Sequence, residues 1–292
     1  MSESNSFYWQ PDVYELLDFG GGRKLERFGE FILDRPSPAA ADVKALNPAG
    51  WSRADARVPQ HIPELLQSPW TIRFPLDPNE ARSQLSLELK LTPFGHVGLF
   101  PEQLGNWQWL FDQVRRQPSA NLKALNLFAY TGAATLALAA AGAEVVHIDA
   151  SSPSVAWARR NAYQSDLEER PIRWIVEDAF KFVAREFRRG NRYEVIVLDP
   201  PGYGHTPSGK PWNLAERWKE LLNGCLQLLP TDRPSALLWT GHGDYPTVDQ
   251  LSGHLLVTRN AEIVCGRSLL NASTGGRLDA GYFLRAELAG AE

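Results

Sequence analysis

The sequence predicts an α/β protein: a mostly parallel, twisted sheet with an antiparallel last strand and helices on both faces, preceded by a small, mostly-β domain. Three observations predict it. From about Leu122 onward, apolar strand-like runs alternate with amphipathic helical ones, the mark of a parallel sheet covered on both sides. Before Phe100 the chain is rich in Pro and Gly and carries only short strand-like runs. The last two strand-like runs are joined by a Gly-rich loop that suits a hairpin, which turns the final strand antiparallel. The expected division is therefore 1–105, strand-rich and available for substrate contacts, and 106–292, the α/β domain.

In the first part, Gly20-Gly21-Gly22 sits between two strand-forming runs, YELLDF and RKLERF, and reads as a hairpin turn. The run LSLELKL alternates with period two at Leu85, Leu87, Leu89 and Leu91, which predicts one buried and one wet face. The stretch from Trp51 to Trp70, crossed by Pro59, Pro63 and Pro69, reads as an irregular loop packed on the body. In the second part the order is strand LKALNLF, helix AATLALAAAG, strand EVVHIDA, helix PSVAWARRNAYQSDL, strand IRWIVED, helix AFKFVAREFRR and strand YEVIVLDPP. Ser151 or Ser152 can cap the second of these helices, and Pro153 fits its first turn, where a missing N–H costs nothing. After the loop GYGHTPSGKP come helix WNLAERWKELLNGCLQLL, strand SALLWTG, helix TVDQLSGHLL and strands EIVCGRSLL and YFLRAEL.

Composition excludes several classes. Of 292 residues 43% are hydrophobic and 22% charged, which is ordinary for a soluble protein and argues against global disorder. The longest apolar run, Ala133 to Val146, is broken by Gly142 and Glu144 and falls short of the roughly 20 residues that span a bilayer. The N-terminus has no basic region followed by an apolar one, so no secretory signal is read and a cytoplasmic location is expected. Two cysteines, Cys225 and Cys265, lie in apolar periodic segments and fit a reducing compartment. The six histidines are scattered, and no metal site is expected. A net charge of −4 gives no global attraction to nucleic acid, although a local basic groove would suffice. Arg115-Arg116, Arg159-Arg160, Arg185, Arg188-Arg189 and Arg192 read as solvated helix faces.

Open parallel sheets bind ligands at the C-terminal ends of their strands, so the loops there carry the chemistry. After the first strand of the α/β part comes Phe128-Ala129-Tyr130-Thr131-Gly132, whose glycine lets the backbone turn beneath a ligand. After the second comes Asp149, seventeen positions past Gly132 and near the roughly 20-residue spacing at which an acid takes both ribose hydroxyls. It could equally cap a helix. After the third, Glu177-Asp178-Ala179 puts an acid where an adenine amino group can donate. After the fourth, Asp199-Pro200-Pro201-Gly202-Tyr203 is a stiff turn that brings a carboxylate and carbonyl groups to the reactive face. Only one glycine of G-x-G-x-x-G is present and no P-loop occurs, which favours a nucleoside cofactor without phosphates over nicotinamide or flavin.

The segments LNLFAYTGAATLALAAAGAEVVHIDASSPSVAWARRNA, VEDAFKFV and VLDPPGYG, with GLFPEQLGNW, resemble class I methyltransferases of Rossmann-like fold. Within them the likeness is to the bacterial 23S ribosomal RNA large-subunit methyltransferases, and YELLDFGGGRKLERFGEFILDRP is similar to the opening of a subgroup. The RNA-binding PUA domain of the best-known members is not recognised here. The resemblance implies S-adenosylmethionine as cofactor and RNA as a possible substrate, methylated at a base nitrogen. It implies a cofactor site of Phe100, Asn126, Phe128, Ala129, Tyr130, Thr131, Gly132, Asp149, Ala150, Ser151, Asp178, Ala179 and Asp199, and a catalytic group of Asp199, Pro200, Pro201 and Tyr203. Gly202-Tyr203 stands where relatives commonly have Lys-Phe.

Members that methylate carbon-5 of cytosine need a cysteine nucleophile after the strand matching SALLWTG. Here that place reads Trp239-Thr240-Gly241-His242-Gly243, so carbon-5 chemistry is disfavoured. Cys225 and Cys265 read as core thiols. His242 is either a base or a solvated loop residue. Methyl transfer to a small molecule or protein, and cofactor binding without turnover, are the alternatives.

Overall fold

The computed structural model describes residues 9–80, 83–92, 95–117, 122–205, 211–243 and 245–290. The first eight residues, on which the reading of the N-terminus rested, and 206–210 of the predicted loop lie outside them. The chain forms two compact units: residues up to Gly105 with Ser268–Ala280, and Asn106–Arg267 with the stretch from Gly281 onward. Ser268–Ala280 thus groups with the first unit, where the expected division had kept 106–292 together.

In the first unit β1 (Tyr14–Gly20), β2 (Arg23–Phe28), β3 (Phe31–Pro36) and the short β4 (Ala56–Arg57) form a sheet in that order. Gly21 and Gly22, at φ 57° and 75°, turn β1 into β2 as the triplet predicted. On β1, Asp18 accepts from the N–H groups of Leu46 and Asn47 and from the Trp51 indole, which fastens the Pro-rich stretch. β5 (Trp70–Pro75) pairs antiparallel with β6 (Gln84–Leu89). The alternating leucines of β6 are buried, but Ser86 and Glu88 on the other face are buried as well, so the expected wet face is covered. Ser86 takes up that burial by accepting from Arg73 Nε at 2.9 Å.

The second unit begins in α1 (Leu104–Arg116), a helix the sequence reading had not placed. There follow β7 (Lys123–Leu127), α2 (Ala133–Ala140), β8 (Glu144–Asp149), α3 (Ser152–Gln164), β9 (Ile172–Val176), α4 (Ala179–Arg188) and β10 (Val195–Leu198). The loop after β10 folds back as a small antiparallel pair, β11 (Tyr203–His205) with β12 (Pro211–Asn213). Then come α5 (Leu214–Leu228), β13 (Ser235–Gly241), α6 (Val248–Thr258), β14 (Ala261–Asn271) and β15 (Arg277–Leu288). The sheet runs β14-β15-β13-β10-β7-β8-β9, and β15 is antiparallel to β13 as predicted.

Caps account for several boundaries. Ser151 Oγ accepts from Ser154 N to start α3, with Pro153 in the first turn, and Thr247 with Gln250 makes a capping box on α6. One face of the sheet packs Ile196, Leu198, Leu237, Trp239 and Leu284 with Phe182, Leu221 and Leu255. The other packs Ala124, Val145, Val195, Val197 and Leu238 with Leu110 and Leu138. Each fully buried leucine contributes about 1.5–3 kcal/mol, and the strands are apolar on both faces because both are covered. Most of the basic clusters are exposed helix residues, but Arg185 is half-buried and ion-paired to Glu177.

Candidate active site

From β7 the chain steps outward to β8 and β9, then returns to lay β10 on the other side of β7. Strand order reverses between β7 and β10, so the loops that follow them flank the crevice where such sheets take ligands.

In the loop after β7, Phe128, Tyr130 and Gly132 have φ of 57°, 47° and 89°. Left-handed backbone costs non-glycine residues roughly 1–3 kcal/mol each, so the surroundings must enforce it. Ala129 N donates to Ile148 O at 3.0 Å, Tyr130 N to Asp149 Oδ2 at 2.8 Å, and Asn161 Nδ2 to Thr131 O at 2.8 Å. A Cβ on Gly132 would stand 2.9 Å from that of Ala158, so the glycine is needed for helix α3 to approach as well as for its φ. Beneath the loop, Thr135 Oγ1 accepts from Asn126 Nδ2 at 2.9 Å and lies 2.9 Å from His147 Nδ1. All three are buried, and burial lowers the His147 pKa to about 3, which keeps the ring neutral. Asn126 therefore props the loop from below.

Asp149 receives Ser151 N on Oδ1 and Tyr130 N on Oδ2, both at 2.8 Å. Burial raises its pKa, and those two N–H groups oppose the rise. Each oxygen keeps a lone pair free for a further donor. Asp178, also buried, caps α4 by accepting from Lys181 N at 2.9 Å on Oδ1, next to the buried Ala179. Glu177 is taken by Arg185 at 2.5 Å. Ala150 is exposed and Ser151 half-buried.

Across the crevice, the half-buried Asp199 follows β10, and its carboxylate accepts no hydrogen bond among the described residues. Pro200 is buried, Pro201 exposed and Tyr203 61% exposed. Unmarked by the sequence reading is an aromatic group between the two loops. Trp212 packs 5.8 Å from Phe128 and 5.5 Å from Phe180, and the Arg217 guanidinium lies 3.8 Å over Phe180. Its one signal was that Trp212 directly follows the predicted loop. Phe100 belongs to the other unit, where its ring meets His96.

Burial pushes the thiols of Cys225 and Cys265 up, away from thiolate character. His242 is exposed after β13. Among the described residues no cluster of His, Cys, Asp and Glu is arranged to hold a metal, and no helix is long and apolar enough to cross a membrane.

The structure of a SAM-dependent methyltransferase from Agrobacterium tumefaciens matches 100% of this chain and 93% of its own, with 31% identity and a TM-score of 0.85. The chain belongs to the S-adenosylmethionine-dependent methyltransferases. No family model matches it. Among curated relatives, this methyltransferase is 28% identical over 213 residues to ribosomal RNA large subunit methyltransferase I of Escherichia coli, covering 66% of this chain and 52% of that one. It is 28% identical over 118 residues to ribosomal RNA large subunit methyltransferase K of Neisseria meningitidis, covering 40% and 33%. The chain thus spans about a third to a half of the length of these relatives.

The crevice of this methyltransferase fits the family's cofactor. The space that a Cβ at Gly132 would fill lets the loop turn tightly, and the desolvated Asp149 carboxylate has acceptor capacity left for two hydroxyl donors.

Proposed function

We propose that the protein transfers a methyl group from S-adenosylmethionine to a nitrogen of a ribosomal RNA base. The observation that carries the reading is Asp199: a half-buried carboxylate without a partner among the described residues, followed by Pro200-Pro201 at the end of β10, the strand that neighbours β7 where strand order reverses. The names of the curated relatives support the RNA substrate, and the pushed-up thiols support attack by the substrate's own nitrogen rather than through an enzyme cysteine.

Phe128 to Gly132 would hold the methionine portion, Asp149 would accept from the ribose hydroxyls, and Asp178 with Ala179 would meet the adenine. When bound, the cofactor supplies a methyl group made electrophilic by its sulfonium. Asp199 accepts an N–H of the target amine and turns the nitrogen lone pair toward that methyl group, while Tyr203 offers a face for the base to stack on. As the N–C bond forms the C–S bond breaks, and the amine releases a proton to solvent.

Tritiated-methyl transfer with 23S rRNA, protein extract and small metabolites as separate acceptors tests the reading. Label is expected in RNA, with binding that weakens steeply as salt rises. Asp199→Ala should cut turnover about 100-fold while cofactor affinity changes only a few-fold. The net charge of −4 favours a second reading, methylation of a small molecule or protein, and label in those pools alone would establish it.

A further inference from the structure

On β13 and on β15 beyond it, Trp239 and Tyr282 hold two buried polar atoms that nothing in the proposed chemistry uses. Trp239 is 0% exposed and Tyr282 2%, and neither the indole N–H nor the hydroxyl has a hydrogen-bond partner among the described residues. A buried polar group left unpaired costs about 1–3 kcal/mol, so two side by side are a standing expense that function explains better than packing.

The sheet register says where they point. Leu198, the residue before Asp199, pairs with Trp239 on β13, and Gly241 at the end of β13 pairs with Tyr282 on β15. β13 is the strand between β15 and β10. A Cβ on Gly241 would stand 2.6 Å from Tyr282 Oη, so the phenol lies across β13 at the point where that strand has no side chain. Gly281 allows the same close approach, since its Cβ would meet Gly241 O at 2.4 Å. The phenol therefore reaches toward the end of β10, where the unpartnered Asp199 carboxylate begins the catalytic turn. Two buried polar groups without a hydrogen-bond partner among the described residues thus lie on β13 and β15, and the Asp199 carboxylate, likewise without one, follows the neighbouring β10.

We propose that Tyr282 is a positioning residue for Asp199: its hydroxyl, backed by the Trp239 indole N–H, donates to the Asp199 carboxylate when that side chain turns to receive the target amine. One carboxylate oxygen is then fixed by Tyr282 and the other is left for the amine. The Tyr282 pKa is raised, chiefly by burial and further by the negative charge of Asp199, which agrees with their proximity. Trp239 opposes the rise as an N–H donor would, although it falls short of hydrogen-bond geometry here.

The inference rests on the reading of Asp199 given above, and Tyr282→Phe tests it. Turnover on 23S rRNA should fall about tenfold, with KM for RNA and cofactor affinity within about twofold. The melting temperature should stay level or rise, because the lost hydroxyl has no partner in the free protein. Adding Tyr282→Phe to Asp199→Ala should cost nothing more. Wild-type turnover in Tyr282→Phe, or losses that multiply, overturns the proposal; wild-type turnover in Asp199→Ala removes the reading beneath it. A readout without any acceptor is the Cζ resonance of Tyr282 in protein loaded with S-adenosylhomocysteine, assigned by its disappearance in Tyr282→Phe. It should move in Asp199→Asn, and an unmoved resonance overturns the proposal.

Discussion

Asp149 shows why a single side chain can be named in advance and still not be understood from the sequence. Its place after a predicted strand was legible; that Tyr130 N and Ser151 N each occupy one of its oxygens was not, because the Tyr130 contact joins residues 19 apart through a left-handed loop. Those bonds keep the carboxylate aimed, and burial makes a donor to its remaining lone pairs worth more. Asp149→Ala should weaken S-adenosylmethionine binding by about 2–4 kcal/mol in calorimetry, since two bonds to a charged acceptor are lost. Unchanged affinity would take Asp149 out of the site. Cys225 is the opposite case, a core thiol as expected whose chemistry burial removes, whereas Cys265 is only half-buried and its thiol is pushed up by that burial and by Asp249. A folded Cys225→Ala, Cys265→Ser double variant should keep most methyl transfer, and loss of turnover with intact cofactor binding would restore a thiol to the mechanism.

At the scale of elements, β7 to β10 and their helices were legible because apolar runs and capped amphipathic segments alternate without ambiguity, as at Ser151 and Pro153. Helix α1 was not, since Gly105 and Asn106, poor helix formers, stand in its first turn directly after the Pro-rich part. β5 escaped for a related reason: its six residues follow Pro69 and end on Pro75, and read as more of the irregular stretch before them. The wet face expected of β6 failed because alternation reports which residues are apolar and not what covers the polar ones. The element that most shapes the site is the loop after β7, where Gly132 is the one position that both φ 89° and the Ala158 contact reserve for glycine. Gly132→Ala should lower stability by about 1–3 kcal/mol in denaturant unfolding and weaken cofactor binding at least as much. A variant of wild-type stability and affinity would mean that the loop tolerates another path.

The molecule as a whole has a layout the sequence could not disclose: β15 and β10 flank β13, and Ser268–Ala280 groups with the first unit, where it bonds to β1 at Leu16. Global stability should carry the signature of another buried group, His147. Its folded pKa is about 3 against an ordinary 6.5, so the unfolded chain takes up a proton below pH 6.5 that the folded protein refuses until far more acid conditions. The stability tied to its neutral form is complete above pH 6.5 and is lost as pH falls toward 3, at up to about 1.4 kcal/mol per pH unit. Asp18, Glu26 and Glu186, whose pKa values are lowered, add their own losses only in the carboxylate range below. Asp149, with a raised pKa, has the opposite sign, favouring the folded state at low pH, and is common to wild type and variant. His147→Gln keeps a polar side chain beside Thr135 and has nothing to protonate. Urea unfolding from pH 7.5 to pH 5 should therefore show a decline in the wild type that is flattened in His147→Gln, whatever the variant's stability at pH 7.5. Equal slopes would show that the ring charges in the folded protein, and that the prop beneath the cofactor loop admits a cation.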